Sequence, residues 1–371
     1  MKERFFSRQM VIFLAVAFGF TYLMGIPMGI SYAQGNSVAL FPNAQMCYPA
    51  AGVMLAALIT RKTDKNLPRP FFIGFLVLTA LMALLCLGSA VAPGRGEFWT
   101  GLLNIFMMAG SILLWVLLGI AGKKRRRAYG LNWKNGKASA AAVGIFVLLY
   151  ILRMFISALP AGQAGDLGMI LASPVTWIYL IALPVNFFLV FVAFLGEEYG
   201  WRFYFQPVLQ KRFGAKKGVL LLGVLWGLWH LPVNLFFYAD SASRIQSILG
   251  QQVTCITIGI FFAWAYMKTD NIWVPTVLHF LNNNLIPIFS GSYSADVIEG
   301  QSISWQSVVF SLVVNGIVLG VFLFTRYFRE GKYLLPVLDE RSEREARETE
   351  SFRNPDMTET AGPDLTKESS L

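Results

Sequence analysis

Apolar runs of about 20 residues recur along most of the chain, and this repetition limits what it can fold into. A helix needs roughly 20 apolar residues to cross the hydrocarbon core of a bilayer. Hydrophobic residues make up 56% of the sequence and charged residues only 14%, against roughly 25% charged residues in soluble domains. We therefore predict an all-α polytopic integral membrane protein, a bundle of about ten transmembrane helices (eight to ten) near 9–31, 44–60, 71–92, 98–122, 138–159, 175–195, 218–238, 246–267, 272–290 and 306–327.

Basic residues alternate between the loops that join these spans. They lie before the first span and after the second, fourth, sixth, eighth and tenth, whereas 32–43, 160–174 and 291–305 carry none. Because basic loops stay on the cytoplasmic side, we predict cytoplasmic N- and C-termini in a bacterial plasma membrane. The net charge of +10 is thereby explained by topology and contact with anionic lipid, and a nucleic-acid partner is not expected.

Two further features favour a membrane bundle without a disulfide framework or a removable leader. Cys47, Cys86 and Cys255 lie in apolar segments and show neither CxxC nor Cys/His metal spacing. The basic residues 1–8 lead into an apolar run with no small-residue cleavage site, which predicts a retained first span. The weakest predicted span is 272–290, because Pro275 and Pro287 interrupt it and a re-entrant path stays open.

Two neighbouring carboxylates, Glu197 and Glu198, end the apolar run at 176–195. Charges at membrane depth are rare and are functional candidates by default. On a helix Glu198 and Arg202 are four residues apart and share a face, so we expect them to pair. Glu197 points about 100° away and stays free for chemistry, since a carboxylate kept from water is a stronger base. The alternative is that both glutamates are the solvated end of a helix.

The two histidines of the chain also lie inside apolar runs. His230 stands four residues after Trp226, and His279 stands four residues before Asn283, so each pair shares one helix face. The alternative reading is structural, since a buried histidine is often only hydrogen-bonded in a core and polar pairs often join helices. Taken together with a free carboxylate, the two pairs favour a catalytic site.

These three stretches resemble the signature of the CPBP family of intramembrane proteases, which includes type II CAAX prenyl endopeptidases and the Abi proteins linked to bacteriocin immunity. The signature has Glu-Glu-x-x-x-Arg, Phe-x-x-x-His and His-x-x-x-Asn, and this chain has in that order Glu197, Glu198 and Arg202, then Trp226 and His230, then His279 and Asn283. Trp226 stands where the family usually has Phe, which keeps an aromatic wall. The resemblance covers about 175–290.

The resemblance implies an intramembrane catalytic cavity in which water hydrolyses a peptide bond of a membrane-associated or lipidated substrate. It divides the chain into N-terminal spans (1–159), a CPBP/Abi-like catalytic domain (160–328) and a charged, disordered cytoplasmic tail (329–371), in which Arg341 and Glu345 could support a short helix. We assign the general base to Glu197 and expect Arg202 to fix Glu198. His230 and Asn283 would stabilise the tetrahedral intermediate, and His279 would complete the water or metal site.

Metal dependence and substrate are left open by these residues. Glu197, His230 and His279 fit a three-ligand Zn²⁺ site with an open fourth position, but the chain has no His-Glu-x-x-His, and the same residues could activate water without metal. None of the motif residues indicates how a prenyl group would be recognised. The expected partners are membrane lipid and a membrane-associated peptide or protein. The competing function is a non-proteolytic membrane protein, of the immunity, scaffold or transporter type, that uses the polar network structurally.

Overall fold

The computed structural model describes residues 7–159, 162, 164–341 and 343, and helices with short connections make up this part of the chain. The N-terminal half contains α1 (Arg8–Leu14), a π-helical segment (Ala15–Phe20), α2 (Thr21–Ala33), α3 (Leu40–Gln45), α4 (Tyr48–Thr60), α5 (Arg69–Val91), α6 (Gly96–Ile120), α7 (Gly122–Ala128) and α8 (Gly136–Ala158). The predicted all-α architecture is confirmed.

The C-terminal half carries the three motifs. It contains α9 (Ala164–Ala172), α10 (Pro174–Glu198), a π-helical segment (Tyr199–Phe205), α11 (Gln206–Phe213), α12 (Ala215–Trp229), α13 (Leu231–Phe236), α14 (Arg244–Thr269), α15 (Trp273–Phe289), α16 (Trp305–Val318) and α17 (Arg326–Arg329). Short 3₁₀ turns occupy Pro93–Arg95, Ala295–Ile298, Gly320–Phe324 and Gly331–Tyr333.

Six helices in the described part of the chain are long and apolar enough to cross a membrane: Arg8–Ala33, Arg69–Val91, Pro93–Ile120, Gly136–Ala158, Pro174–Phe213 and Arg244–Thr269. The other four predicted spans coincide with the shorter helices α4, α12, α15 and α16, of 13, 15, 17 and 14 residues. A polytopic membrane protein is therefore confirmed, but the count of about ten spans is not. The sequence runs are apolar beyond the points at which these four helices end.

The segment 272–290, whose prolines left its path open, forms a continuous helix, α15. Pro275 falls in the first turn, where the missing N–H has no intrahelical partner in any case. Pro287 falls in the last turn, so the break it causes coincides with the end of the helix. The motif that begins at His279 thus lies on regular backbone.

Two glycines bring α10 and the following π-helical segment into contact with the start of α4. A Cβ on Gly196 would lie 2.4 Å from the carbonyl oxygen of Met46, and one on Gly200 would lie 2.3 Å from the Cβ of Pro49. Only a residue without a side chain fits at such distances. This approach places the glutamate pair, which lies between the two glycines, at the centre of the bundle.

Residues 334–341, which we call the tail strap, pack against the helix ends that carry basic loops. Leu338 joins the hydrophobic core, and Arg341 is buried with its guanidinium 2.5 Å from Asp270. Asp339 pairs with Arg61 at 2.5 Å and Glu340 with Lys211 at 2.7 Å. The strap belongs to the segment predicted as a disordered tail. Residues 342 and 344–371 lie outside the described residues, and so does the predicted pairing of Arg341 with Glu345.

We expect Gly196→Ala and Gly200→Ala to destabilise the protein strongly. Each added methyl group meets backbone or a proline ring at under 3 Å, and such overpacking costs about 1–3 kcal/mol or more. Thermal unfolding in detergent measures the loss. The control is Gly144→Ala in α8, where nothing lies within 4 Å and alanine favours the helix. Equal unfolding temperatures in all three variants would contradict the packing described.

Candidate active site

Glu197 and Glu198 lie inside the bundle, not at a solvated helix end. Their exposed fractions are 2% and 0%, and the helical path continues beyond them through the π-helical segment to Phe213. A π-helical insertion is rare and is often found at functional sites. The alternative of two glutamates in the headgroup region is therefore wrong for this structure, and each buried carboxylate needs a partner to offset its desolvation.

Glu198 is held from both sides. Its Oε2 lies 3.3 Å from Nε of Arg202, the predicted ion pair, and its Oε1 lies 2.9 Å from Nδ1 of His279. Since a carboxylate accepts hydrogen bonds, Nδ1 of His279 is the donor and carries a proton. The contact fixes the imidazole so that its second nitrogen, Nε2, is not used by Glu198.

Arg202 is completely buried and stacks on aromatic rings. Its guanidinium lies 4.7 Å from the ring centroid of Trp226 and 5.5 Å from that of Phe262. Its terminal nitrogens have no hydrogen-bond partner among the described residues. The charge of Arg202 is therefore offset by Glu198 and by the faces of these rings.

Glu197 has a different environment from its neighbour. Its Oε2 accepts hydrogen bonds from Nε1 of Trp226 at 2.7 Å and from Nε1 of Trp201 at 3.4 Å. Both indoles bind the same oxygen, and in the described structure no arginine or lysine forms an ion pair with this carboxylate. Glu197 lines the cavity, and its Oε1 forms no hydrogen bond with the described residues. Glu197, the residue predicted to be free for chemistry, is thus held in position by hydrogen bonds, but no basic residue neutralises its charge.

His230 lies at the break between α12 and α13, where Pro232 follows and prevents continuation of the α12 hydrogen-bond ladder. Its Nδ1 lies 2.8 Å from the carbonyl oxygen of Trp226. A carbonyl can only accept, so Nδ1 carries the proton and Nε2 of the neutral ring is an acceptor. The Sγ atom of Cys255 lies 3.7 Å from the same Nδ1 and adds a soft, buried neighbour.

Four of the six predicted site residues line one cavity of about 740 Å³: Glu197, His230, His279 and Asn283. Glu198 and Arg202 lie behind its wall and position the others. Asn283 accepts a hydrogen bond at Oδ1 from Asn282 at 3.1 Å, which leaves its own amide N–H groups for the cavity. Residues 301–303, in the connection between α15 and α16, form part of the opposite wall.

Sequence reasoning missed two hydrogen-bond donors and one long-range contact in this site. Trp226 was assigned only to an aromatic wall and Trp201 was given no catalytic role, but the N–H groups of both hold Glu197. Where the family usually has Phe, Trp226 thus adds a donor that a phenyl ring lacks. The contact between His279 and Glu198 joins residues 81 positions apart, which helical spacing does not reveal.

The donor set does not fit the predicted zinc site. Among the described residues no group of three His, Cys, Asp or Glu side chains is arranged to hold a metal ion. We therefore derive no step through a metal.

Comparison with known proteins addresses the segment that contains every predicted site residue. Residues 176–285 match the family model for type II CAAX prenyl endopeptidase Rce1-like proteins. The predicted resemblance is confirmed over this segment. A curated relative, CAAX prenyl protease 2 of Methanococcus maripaludis, is 33% identical over 106 residues, which is 27% of this chain and 39% of the relative. No solved structure matches the chain.

We expect Glu198→Gln to destabilise the protein and Glu197→Gln not to, although the residues are adjacent. The first leaves the charge of Arg202 buried without its partner, which typically costs about 3–5 kcal/mol. The second keeps an acceptor for Trp226 and removes a carboxylate that no arginine or lysine pairs with, so wild-type stability or better is expected.

Thermal unfolding of both variants in the same detergent checks this contrast. Arg202→Lys is a third variant that keeps the charge but loses the planar group stacked on Trp226, and it should fall between them. Equal destabilisation by the two glutamine variants would show that Glu197 is also a structural ion-pair member.

Proposed function

We propose that the chain is an intramembrane endopeptidase that hydrolyses a peptide bond of a membrane-associated or lipidated peptide with water activated by Glu197. The observation that carries the proposal is the arrangement of Glu197, a buried carboxylate that lines a cavity together with two histidines and Asn283. The match of residues 176–285 to the Rce1-like family supports it.

In the proposed reaction Oε1 of Glu197 accepts a proton from water as the water oxygen forms a bond to the carbonyl carbon. Neutral His230 presents an unprotonated Nε2, so it would accept a hydrogen bond from this water and orient it. An oxyanion needs donors, and the Nδ2 hydrogens of Asn283 supply them. The proton on Glu197 then passes to the leaving nitrogen as the C–N bond breaks.

His279 would support this reaction through its contact with Glu198. A positively charged imidazole between a carboxylate and the cavity has an N–H at Nε2, which can also stabilise the oxyanion. In its neutral form the same ring would only fix the cavity wall. The stabilising role first assigned to His230 and Asn283 is therefore proposed here for Asn283 and His279, with His230 placed on the water.

The substrate is proposed from chemistry and from the relative's name. The chain spans 39% of the length of the relative named CAAX prenyl protease 2. Because of that relative's name, a prenylated CAAX segment is the first substrate to test. The cavity has aromatic and aliphatic walls, including Trp229, Val233 and Ile258, which suit an apolar substrate segment. Membrane lipid is the expected second partner.

Replacement of Glu197 by Gln or Ala should lower cleavage of a farnesylated CAAX reporter peptide in proteoliposomes by about 10²–10⁴-fold, the usual effect of losing a general base. The matched control is Glu97→Gln, an exposed carboxylate in the first turn of α6 that does not line the cavity. Folded His230→Ala and His279→Ala variants should also be impaired. Full activity of all three site variants would favour the scaffold or transporter-type function.

Chelation separates the two ways in which water could be activated. Because the described residues lack a three-ligand cluster, we expect reporter cleavage to survive dialysis against a strong chelator, with no stoichiometric zinc by elemental analysis. Loss of cleavage that added Zn²⁺ restores would contradict metal-free activation and require the side chains of Glu197, His230 and His279 to rearrange.

A further inference from the structure

The catalytic cavity contains a second charged residue that the three motifs do not include. Apart from its histidines, the charged side chains among its described lining residues are Glu197 and Arg153. Arg153 lies in α8 (Gly136–Ala158), a helix long and apolar enough to cross the membrane, five residues before its end. Ionisable residues inside such helices usually mark a ligand or substrate path.

Arg153 differs from the other arginines buried in this bundle. Arg202 pairs with Glu198 and Arg341 pairs with Asp270. Arg153 is half-buried, and in the described part of the chain no carboxylate lies within 4.0 Å of its guanidinium. Its recorded contact is the ring of Tyr150, one turn earlier, at 5.5 Å.

A second cavity of about 440 Å³ adjoins the same side chain. Arg153 and Asp166 both line it, but they do not form an ion pair and Asp166 is exposed. Arg153 thus lines both cavities and has no ion-pair partner among the described residues. An unpaired arginine inside a membrane-spanning helix is energetically costly, so an external anion would stabilise it.

We propose that Arg153 is the anion-binding subsite of the catalytic cavity and receives the C-terminal carboxylate of the bound peptide. The planar guanidinium matches a carboxylate through two parallel hydrogen bonds. Glu197 repels the same carboxylate, so the two charges orient the peptide with its scissile bond at Glu197 and its chain end at Arg153. A cavity of about 740 Å³ has the size of a small-ligand site, which suits a short chain end and not a folded domain.

This inference rests on the proposed peptidase function, and a matched pair of substrates tests it. The two farnesylated reporter peptides are identical except that one ends in a free carboxylate and the other in an amide. A charge-assisted pair predicts that kcat/KM of the wild type is about 10- to 100-fold higher for the free acid, mostly through KM. Arg153→Gln should abolish this preference by lowering kcat/KM for the free acid to the value for the amide peptide, whereas Arg153→Lys should keep part of the preference.

The control variant is Arg95→Gln, an exposed arginine in the loop after α5 that does not line the cavity. It should keep the full preference for the free acid. A third peptide, with an amide end and an acidic last residue, distinguishes a side-chain carboxylate from a terminal one. If kcat/KM for this peptide equals that for the free acid, Arg153 does not recognise the terminal carboxylate specifically.

Binding to the inactive Glu197→Gln variant separates failure of the subsite from failure of the proposed function. The free-acid peptide should bind about 10- to 100-fold more tightly than the amide, and adding Arg153→Gln should remove the difference. If the wild type cleaves neither peptide but this binding difference is present, the proposed peptidase function is rejected and the anion-binding subsite is supported. If both peptides are cleaved or bound equally well by the wild type, Arg153 serves the membrane surface and the subsite is overturned.

Discussion

The buried contact of Glu198 with Arg202 and His279 is the interaction on which the rest of the site depends. It joins the end of α10, the π-helical segment and α15. One oxygen of this buried carboxylate accepts a hydrogen bond from His279, and the other lies within ion-pair distance of Arg202, which offsets part of the cost of burying its charge. The glycines at 196 and 200 permit the close approach to α4 that buries this cluster.

With Glu198 committed to structure, its neighbour can serve chemistry. The two carboxylates are adjacent in sequence, but one faces a guanidinium and an imidazole and the other faces two indole N–H groups and the cavity. Indole donors orient a carboxylate without supplying a full counter-charge. In the proposed mechanism this environment keeps Glu197 basic enough to activate water. Trp226 links the two carboxylates, because it stacks on Arg202 and donates a hydrogen bond to Glu197.

Residue spacing in the sequence predicted the contacts within one helix. The contacts between helices depend on packing that the spacing does not show. The pairing of Glu198 with Arg202 follows from their separation by four residues, and the apolar runs predicted the helices. The contact of His279 with Glu198, the donors of Trp201 and Trp226, and the tail strap depend on how remote helices pack. The ends of the short helices were also missed, because hydropathy measures the length of an apolar run and not where its backbone stops being helical.

The short helices have a consequence for the surrounding lipid. The 14 residues of α16, which exposes Val309, Leu312 and Val313, rise only about 21 Å, whereas the hydrocarbon core is about 30 Å thick. A difference of this size creates a hydrophobic mismatch, which a bilayer relieves by thinning next to the protein. A thinner layer shortens the path of water to a buried carboxylate. The acyl-chain length of the host membrane thus becomes part of the environment that sets how readily the cavity hydrates.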